Sequence, residues 1–119
     1  MRTSTCPVES KWATDTLPSI LAAYCARYGL QVDDLFAVRK GKETLEASQN
    51  RSILITATYD YFEGDVSHQT IGEYFGIGRQ HSAKNTSDTY LKIDCEEGNV
   101  VERYAYAKGL WVLFAKQRI

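Results

Sequence analysis

The sequence predicts a single all-α domain of about six helices that includes a helix-turn-helix. Its 119 residues match the usual size of one domain, and a hydrophobic fraction of 44% is enough to form a core. Apolar residues recur at helical spacing along most of the chain. The stretch IGEYFGIGR supplies, in order, an apolar and a small residue, an apolar residue at the helix end, the turn glycine and a further apolar residue, as this motif requires.

Residues 1–12 are expected to form a flexible lead-in, and residues 13–119 one helical domain. The first helix is predicted to start after Thr16 as N-cap, with Pro18 in its first turn and Gly29 at its end. Its apolar face follows the i, i+3, i+4 pattern and consists of Leu17, Ile20, Leu21, Tyr24, Cys25 and Tyr28.

A short helical turn is predicted over residues 32–36, followed by a basic loop at residues 39–42. The next segment, residues 44–62, contains the β-branched run ILITATY, which is also compatible with a strand. Its length without Gly or Pro favours a helix. One side of that helix would carry Leu45, Ser48, Ser52, Ile55, Tyr59 and Phe62.

Three more helices complete the prediction. Residues 67–70 open a short helix that runs through Phe75, a second helix spans residues 79 to about 93, and the last spans about 99 to 116. Gly76 is expected to take positive φ in the turn, with Ile77 buried beneath it. The inward face of helix 79–93 is predicted to hold Ala83, Ser87, Tyr90 and Leu91, with Arg79, Gln80, Ser82, Lys84, Asn85, Asp88 and Thr89 outward.

The polar side chains at the start of helix 79–93 are typical of DNA readout in the major groove. Arg pairs with guanine and Gln or Asn with adenine, while Ser and Ala contact a thymine methyl. A helical hairpin with a solvated outer face has the same pattern and stays open as the alternative. The formal net charge of -1 does not indicate a polyanion partner, but residues 36–51 and 78–92 each hold more Lys and Arg than Asp and Glu.

From about Ile20 to Ile93 the chain resembles the C-terminal DNA-binding domain of the bacterial replication initiator DnaA, in the Trp-repressor-like group of helix-turn-helix proteins. The segment ILAAYCARYGLQVDDLFAVRKGK is similar to that family's opening helix, its V-x-x-L corner and its basic loop. IGEYFG is similar to its I-G-x-x-F-G, and Arg79-Gln80-His81-Ser82 to its R-D-H-[S/T]-T-V signature.

The resemblance implies a basic loop on phosphate and the minor groove, and a signature helix in the major groove. These roles fall to Arg39, Lys40 and Lys42, and to Gln80, His81, Ser82 and Ala83. Arg51 is the candidate for a phosphate contact that the family makes with an A-R-Q run, here Ala47-Ser48-Gln49. The complete set of predicted DNA-binding residues is Arg39, Lys40, Lys42, Arg51, Arg79, Gln80, His81, Ser82, Lys84 and Asn85.

Other chemistry has little basis in the sequence. The two histidines, His68 and His81, have no metal-ligand spacing, and no phosphate-binding G-x-x-x-x-G-K-[ST] or nucleophile motif occurs. We therefore expect no enzyme activity, catalytic residue, metal, cofactor or bound nucleotide. The three cysteines have no paired spacing and are expected as free thiols, with Cys25 packed and the others nearer the surface.

These observations predict a sequence-specific double-stranded DNA-binding protein that serves transcriptional or replication control. No membrane span or secretory signal is visible, so we expect a cytoplasmic protein without a membrane partner. A protein partner or a homodimer is compatible with the sequence. Two alternatives stay open: a protein-interaction module that has lost DNA readout on the same fold, and an accessory domain split from a mobile-element enzyme.

Overall fold

The computed structural model describes residues 7–36 and 45–118, and within these ranges all regular structure is helical. The all-α prediction is confirmed, with five α-helices and one 3₁₀ turn in place of about six helices. The elements are α1 (Pro7–Tyr28), the 3₁₀ turn (Val32–Leu35), α2 (Leu45–Phe62), α3 (His68–Phe75), α4 (Arg79–Asp94) and α5 (Gly98–Lys116).

α1 begins nine residues before the predicted N-cap, so the prediction of a helix start at Thr16 was wrong. The helix runs through Pro18, which is exposed, and residues 7–12 of the expected lead-in belong to it. The buried positions Ala13, Leu17, Ile20, Leu21 and Tyr24 extend the predicted apolar face one turn further toward the N-terminus. The predicted end is correct, since Gly29 follows the helix with φ +69°.

α2 is the central helix, which settles the choice between helix and strand in favour of the helix. It packs against α3, α4, α5 and the 3₁₀ turn, and residues 53–58 are all buried. The buried surface of α2 is therefore wider than the single side that the sequence predicts. The hydroxyls of Thr56 and Thr58 donate to the carbonyls of Ser52 and Leu54 at 2.7 Å, so both polar groups are satisfied inside the core.

An aromatic cluster joins both ends of the chain to the central helix. Trp111 of α5 is fully buried, with its ring centroid 5.6 Å from that of Trp12 and 5.0 Å from that of Phe62. Its indole Nε1 donates to the hydroxyl oxygen of Thr58 at 3.0 Å. The largest side chain of the core is thereby held by packing and by one directed hydrogen bond.

A second buried contact uses polar groups. The hydroxyl of Tyr24 donates to Oδ1 of Asn50 at 2.5 Å, and Arg103 Nη1 donates to the same oxygen at 2.9 Å. Asn50 Nδ2 in turn donates to the carbonyl of Glu46 at 2.8 Å. The side chain of Asn50 thus fixes α1 and α5 at one point along α2.

The cysteine thiols agree with the sequence prediction where they are described. Cys25 is buried and Cys95 exposed, both free, and Cys6 lies outside the described residues. Burial raises the pKa of the Cys25 thiol. In residues 7–36 and 45–118 no helix combines the length and the apolar character needed to cross a bilayer.

Candidate nucleic-acid interface

The helix α3 fixes the hairpin that carries the predicted reading residues. Ser67 caps it, since its hydroxyl oxygen accepts from the backbone N–H of Thr70 at 3.1 Å, as expected for a helix that opens at residue 67. Ile71 and Phe75 on its inner side are fully buried. Burial of these two side chains anchors the short helix to the core.

The turn between α3 and α4 has the predicted glycine geometry. Gly76 has φ +83°, and the N–H of Ile77 donates to the carbonyl of Gly72 at 2.8 Å, which closes the end of α3. Gly78 then precedes the first residue of α4 with φ -81°. Ile77 packs against the core but is only half-buried, so the expectation that it lies fully beneath the turn was wrong.

Gly72 is the small residue that the sequence predicts early in the first helix of the proposed helix-turn-helix. A Cβ at this position would lie 2.9 Å from the carbonyl oxygen of Ile77 and 3.0 Å from that of Gly78. Both obstacles are backbone atoms of the turn, which cannot move aside as a flexible side chain does. The close approach of the turn to α3 therefore requires glycine at position 72.

His68 and Ser82 connect the first turns of α3 and α4. The imidazole Nδ1 lies 2.9 Å from the Ser82 hydroxyl oxygen, and the imidazole ring stacks on Tyr59 of α2 at 3.8 Å between centroids. Burial lowers the pKa of His68, against an opposing effect of Asp60. Ser82 is fully buried, so the prediction that it faces outward was wrong.

The inward face of α4 differs from the predicted one. Ser82, Thr86 and Thr89 are buried, and the hydroxyls of Thr86 and Thr89 donate to carbonyls one turn earlier in the helix. Thr89 was expected to point outward, and the set expected inward does not form the core face. Ala83 is half-buried, and the exposed members of that set are Ser87, Tyr90 and Leu91. The i, i+4, i+7 spacing of hydroxyl residues was the available signal for the true face.

The start of α4 leaves four of the predicted DNA-binding residues in solvent. Arg79, Gln80 and His81 occupy its first turn and Lys84 its second, and all four are exposed. Lys84 Nζ lies 3.3 Å from the carboxylate of Asp88, in a pair whose members are 70% and 48% exposed. Such an exposed pair is weak, so Lys84 is available to another anion.

Asn85 and Arg51 are less accessible than the four exposed residues of α4. Asn85 is half-buried and lines a groove of about 200 Å³ between α2 and α4, together with Gln49, Asp88 and Lys92. Arg51 is 6% exposed, and its Nη1 is 3.5 Å from the carbonyl oxygen of Leu35. Arg51 therefore packs within the fold, and the prediction of an accessible phosphate contact at this position was wrong.

The predicted basic loop, Arg39, Lys40 and Lys42, lies outside the described residues. The structure thus describes the part of the predicted site that lies on α4 and does not describe the loop. Within residues 7–36 and 45–118 no three His, Cys, Asp or Glu side chains come together as metal ligands.

A shared carboxylate holds the second half of α4. The hydroxyls of Tyr90 in α4 and Tyr104 in α5 donate to the two oxygens of Asp60 in α2. Burial, together with the hydrogen bond to Asp60, raises the pKa of both phenols, which therefore stay protonated. The sequence predicts Tyr90 on the inward face of its helix but does not predict this contact, because nothing in the spacing of the three residues shows that three helices meet at Asp60.

No protein-family model, curated protein or solved structure matches this chain.

Proposed function

We propose that this chain binds double-stranded DNA sequence-specifically, with the start of α4 in the major groove, and serves transcriptional or replication control in the cytoplasm. One observation carries the proposal. Arg79, Gln80, His81 and Lys84 project into solvent from the first two turns of a helix whose opposite side is fixed to α2 and α3. Rigid presentation of polar side chains at a helix start is what base readout requires.

The side chains at this end of α4 match the chemistry of base edges and phosphates. Arg79 makes a bidentate pair with O6 and N7 of guanine, and Gln80 with N6 and N7 of adenine. Lys84, one turn further along, supplies a charge for the phosphate backbone. The basic loop with Arg39, Lys40 and Lys42 adds phosphate contacts in this proposal.

Ser82 and Arg51 take supporting roles in this function. Ser82 positions α4 through its contact with His68, so it orients the reading residues without touching DNA. Arg51 lies beside the carbonyl of Leu35 at the end of the 3₁₀ turn, which leads toward the basic loop. Base contacts therefore rest on fewer residues than the sequence predicts.

The proposal is tested by selection of bound sequences from a random duplex pool, followed by a salt titration of the winning duplex and of a random one. We expect a preferred sequence and an affinity that falls linearly with the logarithm of salt concentration. The variant Arg79→Ala/Gln80→Ala/Lys84→Ala should lose that preference. The control Lys11→Ala/Lys108→Ala also removes two positive charges, from α1 and α5, and should retain the sequence preference.

A protein-interaction module is the second candidate, and one observation favours it. Leu91 is 63% exposed on the same outward side of α4 as Gln80, Lys84 and Ser87, and an exposed leucine is more typical of a protein contact than of a phosphate contact. The formal net charge of -1 points the same way. Absence of salt-dependent binding to any duplex, with a folded protein by circular dichroism, would favour this candidate over DNA binding.

A further inference from the structure

The helix α5 has exposed apolar residues in addition to the apolar residues that face the core. Its inner side buries Val100, Ala107, Leu110 and Trp111. On the opposite side three large hydrophobic residues are exposed, Val101 by 38%, Val112 by 45% and Leu113 by 51%. An exposed apolar patch on a helix is typical of an interaction surface. We name the outer strip of Val101, Ala105, Gly109, Val112 and Leu113 the α5 strip.

Gly109 lies at the middle of the α5 strip, and no contact within the fold requires a glycine there. It is exposed within a 19-residue helix, and a Cβ at this position would meet no atom within 4 Å. Glycine is a poor helix former, so an alanine would suit the isolated chain better. A missing side chain on an outer helix face permits a second helix to approach closely.

Two residues of opposite charge lie beside the α5 strip at equal distances from Gly109. Glu102 lies seven residues before it and Lys116 seven residues after it, about 21 Å apart at 1.5 Å per residue. Both are exposed. Arg27 and the hydroxyl of Tyr28 contact Glu102 through the same oxygen, Oε2. Lys116 makes no ion pair with the described residues.

We propose that two copies of this chain form a dimer through antiparallel contact of their α5 strips, with a two-fold axis at Gly109. In this arrangement Glu102 of each copy faces Lys116 of the other, and Ala105 faces Leu113. The interface is self-complementary, as a two-fold dimer requires, because each contact occurs twice. Charge complementarity selects a second copy as the partner, since α5 supplies both Glu102 and Lys116, the two halves of each ion pair.

The test is sedimentation equilibrium of the full chain over a range of concentrations. We expect a reversible dimer in the parent. Gly109→Leu should weaken it at least about tenfold, because an isobutyl group blocks the close approach and even a modest energetic loss is tenfold in affinity. Gly109 borders open space, so the fold should persist by circular dichroism. The control Ala22→Leu adds a leucine at an exposed position of α1 and should dimerise as the parent does.

Charge reversal tests the orientation. Lys116→Glu and Glu102→Lys should each weaken the dimer, and Lys116→Glu/Glu102→Lys should recover affinity relative to Glu102→Lys alone, because the two ion pairs return with exchanged partners while the loss of the Arg27 contact is common to both variants. A parent that is monomeric up to about 1 mM, the weak end of ordinary affinities, overturns the proposal. So does a Gly109→Leu variant that dimerises like the parent. Failure of the double variant to recover overturns the antiparallel arrangement.

Discussion

The imidazole of His68 and the hydroxyl of Ser82 link the first turns of two successive helices, with Nδ1 and Oγ 2.9 Å apart. The ring also stacks on Tyr59, so this one side chain of α3 contacts both α2 and α4. The chain positions the exposed start of α4 through this contact and through Gly72, against which the turn packs. Both lie on the inner side of the hairpin, opposite the side chains that we propose to read DNA.

His68 should make stability depend on pH. Burial lowers its pKa below the ordinary value of 6.5, so between the two values the unfolded chain binds a proton that the folded chain does not. Its neutral form is compatible with full stability above about pH 6.5, and stability should fall as the pH decreases through that value toward the lower folded pKa. The measurement is the urea midpoint between about pH 8 and 5.

The variant His68→Gln separates this effect from the titration of carboxylates. Glutamine keeps a hydrogen-bonding group near Ser82 but does not titrate. We expect its stability to change less steeply across the same pH interval. Equal slopes in parent and variant would contradict a neutral, buried His68.

Gly76 and Gly78 offer a matched pair within one turn. Gly76 has φ +83°, so Gly76→Val should cost about 1–3 kcal/mol of the free energy of unfolding, through backbone strain. Gly78 has φ -81°, and a Cβ there meets nothing within 4 Å. Gly78→Ala should therefore lie within about 0.5 kcal/mol of the parent. Similar losses for both variants in urea unfolding would contradict the role of Gly76.

Thr58 and Thr56 test the hydrogen bond to Trp111. Each threonine is fully buried and donates to the carbonyl one turn earlier, but only Thr58 also accepts from Trp111 Nε1. Thr58→Val should cost about 1–3 kcal/mol more than Thr56→Val, because it leaves the indole N–H buried without an acceptor. Differential scanning calorimetry of the two variants gives the comparison. A smaller loss for Thr58→Val would contradict the structural importance of this bond.

The sequence predicted the element types well because helix length and glycine positions are local signals. The short helix capped by Ser67, the positive φ of Gly76 and the start of α4 at Arg79 all follow from neighbouring residues. The predicted orientation of α4 was wrong, because the orientation of a helix depends on tertiary contacts. Hydrophobic periodicity favours Tyr90 and Leu91 as the inner face, yet the hydroxyls of Thr86 and Thr89 are satisfied by their own helix, so these residues can be buried instead.

The prediction of the start of α1 failed for a different reason. Pro18 lacks an N–H, and the sequence rules place such a residue in the first turn of a helix. In the structure the helix continues on both sides of it, and tertiary packing of Ala13 and Leu17 in the core supports the preceding turns. The burial of Arg51 was equally hidden, since its neighbour Leu35 lies sixteen residues away.

The basic loop should contribute to affinity without contributing to sequence choice. If Arg39, Lys40 and Lys42 contact phosphates, replacement of all three by alanine should weaken binding to selected and random duplexes alike. The slope of log affinity against log salt should flatten by about 0.9 for each lost contact. Fluorescence anisotropy at several salt concentrations measures both quantities. An unchanged affinity would remove the loop from the interface.

Gln80 and Lys84 should differ in kind, although both are exposed and lie one turn apart on the same side of α4. Gln80→Ala should cost about 1–3 kcal/mol at the preferred sequence and relax the choice at one base pair, because a bidentate contact with adenine is lost. Lys84→Ala should weaken all duplexes evenly and reduce the salt slope by about one, because only a phosphate contact is lost. Competition assays with single-base variants of the selected duplex separate the two effects. If both variants weaken every duplex to the same extent, α4 contacts the backbone without reading the bases.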